Sequence, residues 1–310
     1  MKLAIIIIAL IVIQFEVISQ SSYNYQESDW QVVAEGCDFP EGPAYDGKGN
    51  LYFSNCYGSW IGKYDGKTST KFLSKNDSDF TISKTNGLAF GNDGFLYACD
   101  YGIGVILKTS VDGKSEILVD GFKGEKFNRP NDLAFSKNGK LYFTDPKSYD
   151  KSILDGRIFE VDVKTKSVNL VYDELAFPNG IAFNADGNLL YVCESAKQRI
   201  LKFNFVENGT LSEHEEFVLL PGGDPDGIAF DQNGNLWVAH FGGKSVYVIS
   251  PEGKIISKIP TPGKKPSNLD FGGSDLKTLF LTETETNKVY QLKVDVPGLK
   301  LISHPLKMEN

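Results

Sequence analysis

The sequence predicts an all-β fold: a six-bladed β-propeller with four antiparallel strands per blade, its ring closed by an N-terminal strand. Three observations carry that expectation. One motif recurs six times, each copy is built of strand and turn residues, and no helical periodicity separates the copies.

The copies begin at Glu41, Asn86, Asn131, Asn179, Asp226 and Asn268, so that successive starts lie 45, 45, 48, 47 and 42 residues apart. Each opens on a short apolar strand of the Ile-Ala-Phe type, meets a turn, Asn-Gly or Asp-Gly in most copies (as at Asn138-Gly139 and Asp186-Gly187), and continues as an aromatic strand such as Leu141-Tyr142-Phe143. Short apolar runs bounded by such turns are hairpin signals. About 25 residues then remain in each period for a second strand pair, as in Arg157–Asp162 and Ser167–Tyr172. Four strands per period of this length make a propeller blade, and closing the ring removes exposed sheet edges. After Asn268 the chain holds strands for only part of a blade, so Gln31-Val32-Val33-Ala34-Glu35 is expected to supply the missing one and latch the ring.

Residues 1–20 read as a signal peptide: Lys2 precedes an unbroken apolar run from Leu3 to Ile13, followed by polar residues to Ser21. The run is shorter than the roughly 20 residues of a membrane span. Residues 21–310 are then one propeller domain, expected to be secreted, monomeric and without stable membrane insertion after cleavage near Ser19–Ser21. The sequons at Asn76 and Asn208 agree with export and glycosylation. Four cysteines are too few for a disulfide scaffold; Cys37 and Cys56 are near enough in sequence to bridge, whereas Cys99 and Cys193 occupy equivalent strand positions and read as buried thiols. A net charge of −8 without a basic run excludes a nucleic-acid partner. Gly242-Gly243-Lys244-Ser245 lacks the upstream glycine of a phosphate loop and lies in a turn region.

The residue that opens each inner strand is expected at the mouth of the central channel. All six bear oxygen and none is basic: Glu41, Asn86, Asn131, Asn179, Asp226, Asn268. Two carboxylates among neutral amide oxygens suit a hard cation such as Ca²⁺. The competing reading is that Asn and Asp start strands well through turn-type hydrogen bonds, which accounts for Asn86 and Asn268 but not for Glu41.

Glu41-Gly42-Pro43, Arg129-Pro130-Asn131-Asp132, Asn179-Gly180 and Asp226-Gly227, with Ile259–Lys264, Asn268–Gly273 and Asp275–Leu279, resemble the motifs of the regucalcin–gluconolactonase family, over nearly the whole chain from Trp30 to Leu301. That resemblance implies a six-bladed propeller with a divalent cation in its channel, Ca²⁺ or another such as Zn²⁺, Mn²⁺ or Mg²⁺. It implies Glu41, Asn131, Asn179 and Asp226 as metal ligands, and Arg129 and Asn131 as substrate contacts; Asn86 and Asn268, at the rim, are expected to hydrogen-bond substrate or water. Asp132 would orient Asn131; Asp226, a carboxylate at the metal edge, is expected as the catalytic base or nucleophile, the competing reading being pure ligation. The sequence departs from the family at Tyr149, near which a sugar-contacting Glu is expected and at which position no acid appears. His240 ends the second strand of the fifth copy, where the other copies have Asn55, Asp100, Asp145, Glu194 and Glu283; it reads as a loop histidine satisfied by hydrogen bonds rather than a proton shuttle. Two function classes remain open at this stage. One is a cation-dependent hydrolase of a small lactone or ester; the other is a non-catalytic, calcium-stabilised propeller acting as a binding module.

Overall fold

A computed structural model describes residues 23–77, 82–205 and 210–299. The expected signal peptide, the sequon at Asn208 and the Ser78 of the sequon at Asn76 lie outside the described residues.

Six four-stranded antiparallel sheets follow one another along the chain. Blade one is Pro40–Tyr45, Leu51–Asn55, Trp60–Tyr64 and Ser69–Ser74, and blade two is Thr85–Phe90, Leu96–Asp100, Val105–Thr109 and Ser115–Val119. Blade three is Leu133–Phe135, Leu141–Asp145, Gly156–Asp162 and Ser167–Leu175; blade four is Pro178–Phe183, Leu189–Glu194, Arg199–Asn204 and Glu215–Leu219. Blade five is Asp224–Phe230, Leu236–Phe241, Ser245–Ile249 and Ile255–Pro260. Blade six joins Pro266–Gly272, Thr278–Glu283 and Lys288–Lys293 to the N-terminal strand Gln31–Ala34, as the sequence predicts. The first strand of each blade packs against the first strands of both neighbouring blades, so the six inner strands form a closed ring. A small extra hairpin, Gly121–Phe122 with Glu125–Lys126, precedes blade three.

The repeated aromatics explain how blades cohere. The tyrosine or tryptophan of the second strand in one blade meets the phenylalanine that ends the inner strand of the next. Tyr52–Phe90, Tyr97–Phe135, Tyr142–Phe183, Tyr191–Phe230 and Trp237–Phe271 pack edge to face at 5.2, 5.1, 5.2, 5.0 and 5.4 Å. Each such pair contributes roughly 0.5–1.5 kcal/mol beyond burial. Apolar clusters accordingly lie between blades, one at each junction.

The latch is reinforced from both ends. Gln31, Val32 and Ala34 pair with Gln291, Tyr290 and Val289 across a bulge. Trp30 is buried and its indole Nε1 donates to the Pro260 carbonyl at 2.9 Å. Tyr23 accepts from Asn235 Nδ2 at 2.7 Å, and the Leu299 amide donates to the Phe230 carbonyl at 2.8 Å. Cys37 and Cys56 are both buried free thiols, not a bridge. Cys37 belongs to the cluster between blades six and one, whereas Cys56 faces the channel mouth, so their side chains occupy different compartments. Cys99 and Cys193 are buried thiols as expected.

Candidate active site at the mouth of the axial channel

Counting back from the aromatic residue that ends each inner strand (Tyr45, Phe90, Phe135, Phe183, Phe230, Phe271) sorts the site into tiers. Four residues back lie Glu41, Asn86, Asn131, Asn179, Asp226 and Ser267. The first five line one cavity at the mouth. Asn268, expected among them, lies one position deeper: the blade-six rim position is Ser267, whose hydroxyl donates to the Pro40 carbonyl at 2.8 Å. Asn268 shares this deeper tier with Asp132 and with Gly42, Gly87, Gly180 and Gly227. There its Nδ2 approaches Asp132 Oδ2 at 3.5 Å, and its side chain also bonds the Glu41 carboxyl. Asp132 therefore does not hold Asn131 through its side chain; its Oδ1 accepts the Leu133 amide at 2.9 Å. Asp132 and Asn268 both line a second cavity, on the far side of the channel.

The glycines of the deeper tier let adjacent inner strands converge. A Cβ on Gly42, held at φ +38°, would lie 2.7 Å from Gly87 Cα, and one on Gly180 would run into the Asp226 carbonyl oxygen. The Asn-Gly and Asp-Gly pairs of the inner strands thus place an oxygen donor at the rim and clear the space behind it.

Each rim residue is also held from below by its own blade. A buried acceptor at the end of the second strand captures backbone amides two or three residues upstream of the rim. Asn55 accepts from Asp38 at 2.7 Å, Asp100 from Ser83 at 2.7 Å, Asp145 from Arg129 at 2.8 Å, Glu194 from Ala176 at 2.8 Å and Glu283 from Lys265 at 2.8 Å. Blade five reverses the polarity: His240 Nε2 donates to the Leu220 carbonyl at 2.9 Å. His240 is buried, its pKa is lowered by burial, and it is not part of the mouth cavity. It holds the Leu220 loop through Nε2, but it stands within strand Leu236–Phe241 and its Nδ1 is buried without a hydrogen-bond partner, so the expected loop histidine is satisfied at one ring nitrogen alone. Neighbouring blades add further ties, such as Thr144 Oγ1 to the Asn179 carbonyl and Ser195 Oγ to the Pro225 carbonyl, each at 2.7 Å.

The electrostatics of the rim are unbalanced. Glu41 is 3% exposed and Asp226 8% exposed, and no basic side chain lines the cavity. Burial first, and then the Asp132 carboxylate, push Glu41 up to about 8. Burial likewise lifts Asp226 well above the usual carboxylate range, with Glu41, Asp132 and Asp224 adding to it, while a hydrogen bond from Asn179 opposes the rise. The Asn86 Oδ1 atom is buried without a hydrogen-bond partner. Two repelling carboxylates, an unsatisfied amide oxygen and further Asn side chains form an oxygen-donor set of the kind a hard cation takes. Among the described residues there is no cluster of three or more His, Cys, Asp or Glu side chains with metal-ligand geometry, so any such site depends on the asparagines.

Six residues back from each strand-ending aromatic stands an outer tier that the sequence reading reached only at Arg129: Phe39, Lys84, Arg129, Phe177, Asp224 and Lys265. Arg129 does not line the cavity. Its guanidinium lies over Tyr101 at 5.4 Å, as Lys84 lies over Tyr57 at 5.1 Å and Lys265 over Phe241 at 5.7 Å. Phe177 meets Tyr149 edge-on at 5.1 Å, and the Tyr149 hydroxyl donates to Asp224 at 2.6 Å. Phe39, Tyr57, Tyr101, Tyr149, Phe177 and Phe241 thereby make an aromatic collar above the oxygen-bearing rim.

A closed six-bladed ring, carrying paired carboxylates and amides around its axis beneath an open mouth, defines a propeller with an axial polar site. A family profile described as "SMP-30/Gluconolactonase/LRE-like region" matches residues 39–285. The chain belongs to this family. It is 32% identical over 285 residues to a gluconolactonase of Zymomonas mobilis, covering 81% of this chain and 78% of that one. It is 27% identical over 303 residues to the diisopropyl-fluorophosphatase of Loligo vulgaris, covering 89% and 95%. Among solved structures, a gluconolactonase from Xanthomonas campestris aligns with a TM-score of 0.75 at 28% identity, over 86% of this chain and 89% of that one.

Proposed function

We propose that the protein is a secreted, divalent-cation-dependent hydrolase that opens a small lactone or ester in the mouth cavity. The observation that carries this reading is the buried pair Glu41 and Asp226, raised in pKa and faced by no basic side chain. The names of the relatives, gluconolactonase and diisopropyl-fluorophosphatase, support hydrolysis. Glu41, Asn131, Asn179 and Asp226 would hold the cation, with Ca²⁺ the first choice for an all-oxygen set and Zn²⁺, Mn²⁺ or Mg²⁺ the others. When bound, the cation supplies Lewis-acid polarisation of a carbonyl and compensates the developing negative charge.

The chain's own residues do the rest. Asp226 accepts the proton of the attacking water, and Asn179, bonded to its carboxyl, fixes the carboxylate's direction. Asn86 and Asn131 present amide groups to the substrate oxygens at the rim. The aromatic collar shields the reacting carbonyl from bulk water. Arg129, lying over Tyr101 outside the cavity, acts on the substrate through that ring.

The test is turnover of a panel of lactones and esters by pH-stat, with chelator and with each cation restored. Activity lost to chelator and regained with one cation is the expected result. Full activity in chelator would remove the metal. Absent turnover on the whole panel, together with a Ca²⁺-induced rise in melting temperature, would leave the binding-module reading in its place.

A further inference from the structure

The collar speaks to substrate class. Hydrogen-bonding groups that would recognise a polyhydroxylated ring are few above the rim, and of these the Tyr57 and Tyr101 hydroxyls are the ones left open to a ligand. The Tyr149 hydroxyl and the Asp224 carboxylate satisfy each other at 2.6 Å, and Ser195 Oγ is committed to the Pro225 carbonyl at 2.7 Å. Tyr149 therefore offers its ring, not its polar tip, at the mouth. Rings cover the mouth from several blades: Phe39 lies 4.6 Å from Tyr57 and 6.3 Å from Phe241, and Phe177 faces Tyr149.

Two of these rings are held at a conformational cost. Phe39 and Phe177 sit at φ +62° and +56°, a region that bulky residues rarely enter, and each precedes a proline. The two Phe-Pro steps stand three blades apart, on opposite sides of the ring, directly upstream of Glu41 and Asn179. Such strain collects where surrounding structure fixes a side chain for a task. Tyr57 and Tyr149, though at the mouth, remain 50% and 59% exposed, leaving apolar surface for a ligand to cover. The cations Lys84, Arg129 and Lys265 lie over collar rings and are absent from the cavity lining.

Resting on the hydrolase reading, we infer that the substrate is a lactone or ester carrying an apolar or aromatic substituent. The ester group sits on the rim oxygens and the substituent is gripped by the collar, with Phe177, Tyr149 and Phe241 as specificity residues. Water adds to the acyl carbon and the acyl C–O bond breaks, giving a single hydroxy acid from a lactone or an alcohol and an acid from an ester, and the acid ionises.

The experiment compares kcat/KM of the full chain for δ-valerolactone, δ-octalactone, δ-decalactone, D-glucono-δ-lactone and a δ-lactone bearing a carboxylate side chain. Burial of each added methylene predicts a rise of about two- to fourfold until the collar is filled. Phe177→Asn, a residue that tolerates positive φ, should flatten this chain-length dependence, whereas Tyr149→Phe should keep it. Phe241→Leu reads the same point should Phe177→Asn fail to fold. Equal or better turnover of gluconolactone, a preference for the carboxylate-bearing lactone, or no dependence on chain length would each overturn the inference while leaving the hydrolase reading standing. If nothing on the panel turns over, the hydrolase reading falls. Calorimetric binding of the same alkyl series then decides the collar, tighter binding with chain length supporting it and equal binding overturning it.

Discussion

Replacing Asp226 by asparagine exchanges one buried carboxylate for an isostere that still accepts from Asn179, so the sign of its effect depends on whether a cation is present. Burial and neighbouring carboxylates lift Glu41 from 4.5 to about 8, and Asp226 moves the same way under the charges of Glu41, Asp132 and Asp224. At roughly 1.4 kcal/mol per pKa unit, keeping one such group ionised costs at most about 5 kcal/mol. Relaxation and water entry bring the effective figure to about 2 kcal/mol. The folded-state pKa values are raised, so the folded protein binds more protons than the unfolded chain, and cation-free stability falls as pH rises from the ordinary carboxylate range toward about 8. Asp226→Asn should therefore melt about 4–8 °C above the natural protein in chelator at about pH 9, and close to it at about pH 4. With Ca²⁺ at about 100 times Kd, the natural protein gains roughly 2.7 kcal/mol. The variant should gain far less and should lose turnover. Differential scanning fluorimetry at both pH values, with chelator and with Ca²⁺, reads all four states. A variant less stable than the natural protein in chelator at high pH, or one with an undiminished Ca²⁺ shift, would refute the reasoning.

Two further substitutions separate scaffold from site. Gly180→Ala forces a Cβ against the Asp226 carbonyl and to 3.0 Å from Gly227 Cα. It should cost about 1–3 kcal/mol in urea denaturation and, by shifting Asp226, lower kcat/KM about 10- to 100-fold. Trp30→Ala removes a buried indole and its bond to Pro260, far from the mouth cavity. Urea denaturation should show a loss of about 3–5 kcal/mol, with kcat per folded molecule unchanged.

The ring was legible because the same local chemistry is repeated six times: an apolar strand, a turn and an aromatic strand leave little room for another fold. The latch was legible too, since the last copy is one strand short and Gln31–Ala34 has the right pattern. The rim was readable in five of six blades. It failed at blade six because Asn268 looks like the other strand-opening asparagines, yet lies three residues, not four, before its strand-ending Phe271. The outer tier was missed, Arg129 aside, because Phe39, Lys84, Phe177, Asp224 and Lys265 mix aromatic, basic and acidic side chains. Their equivalence lies in position alone, and it emerges only when copies are aligned on the aromatic that packs against the neighbouring blade. The bond between Tyr149 and Asp224 spans 75 residues and ties a loop of blade three to the first residue of the inner strand of blade five, a pairing no local pattern announces.

The pairing of Gln31 with Gln291 also sets an order on synthesis. The strand that completes blade six is made before the other five blades, and its partner Lys288–Lys293 only after them. Until then Gln31–Ala34 has no sheet to join, and the ring stands open, with an unpaired edge available to another chain. Loop closure across some 260 residues must precede the reward of pairing, which makes the last step slow. Nascent chains therefore pass through a window in which a stray strand from a second copy can take the place of their own.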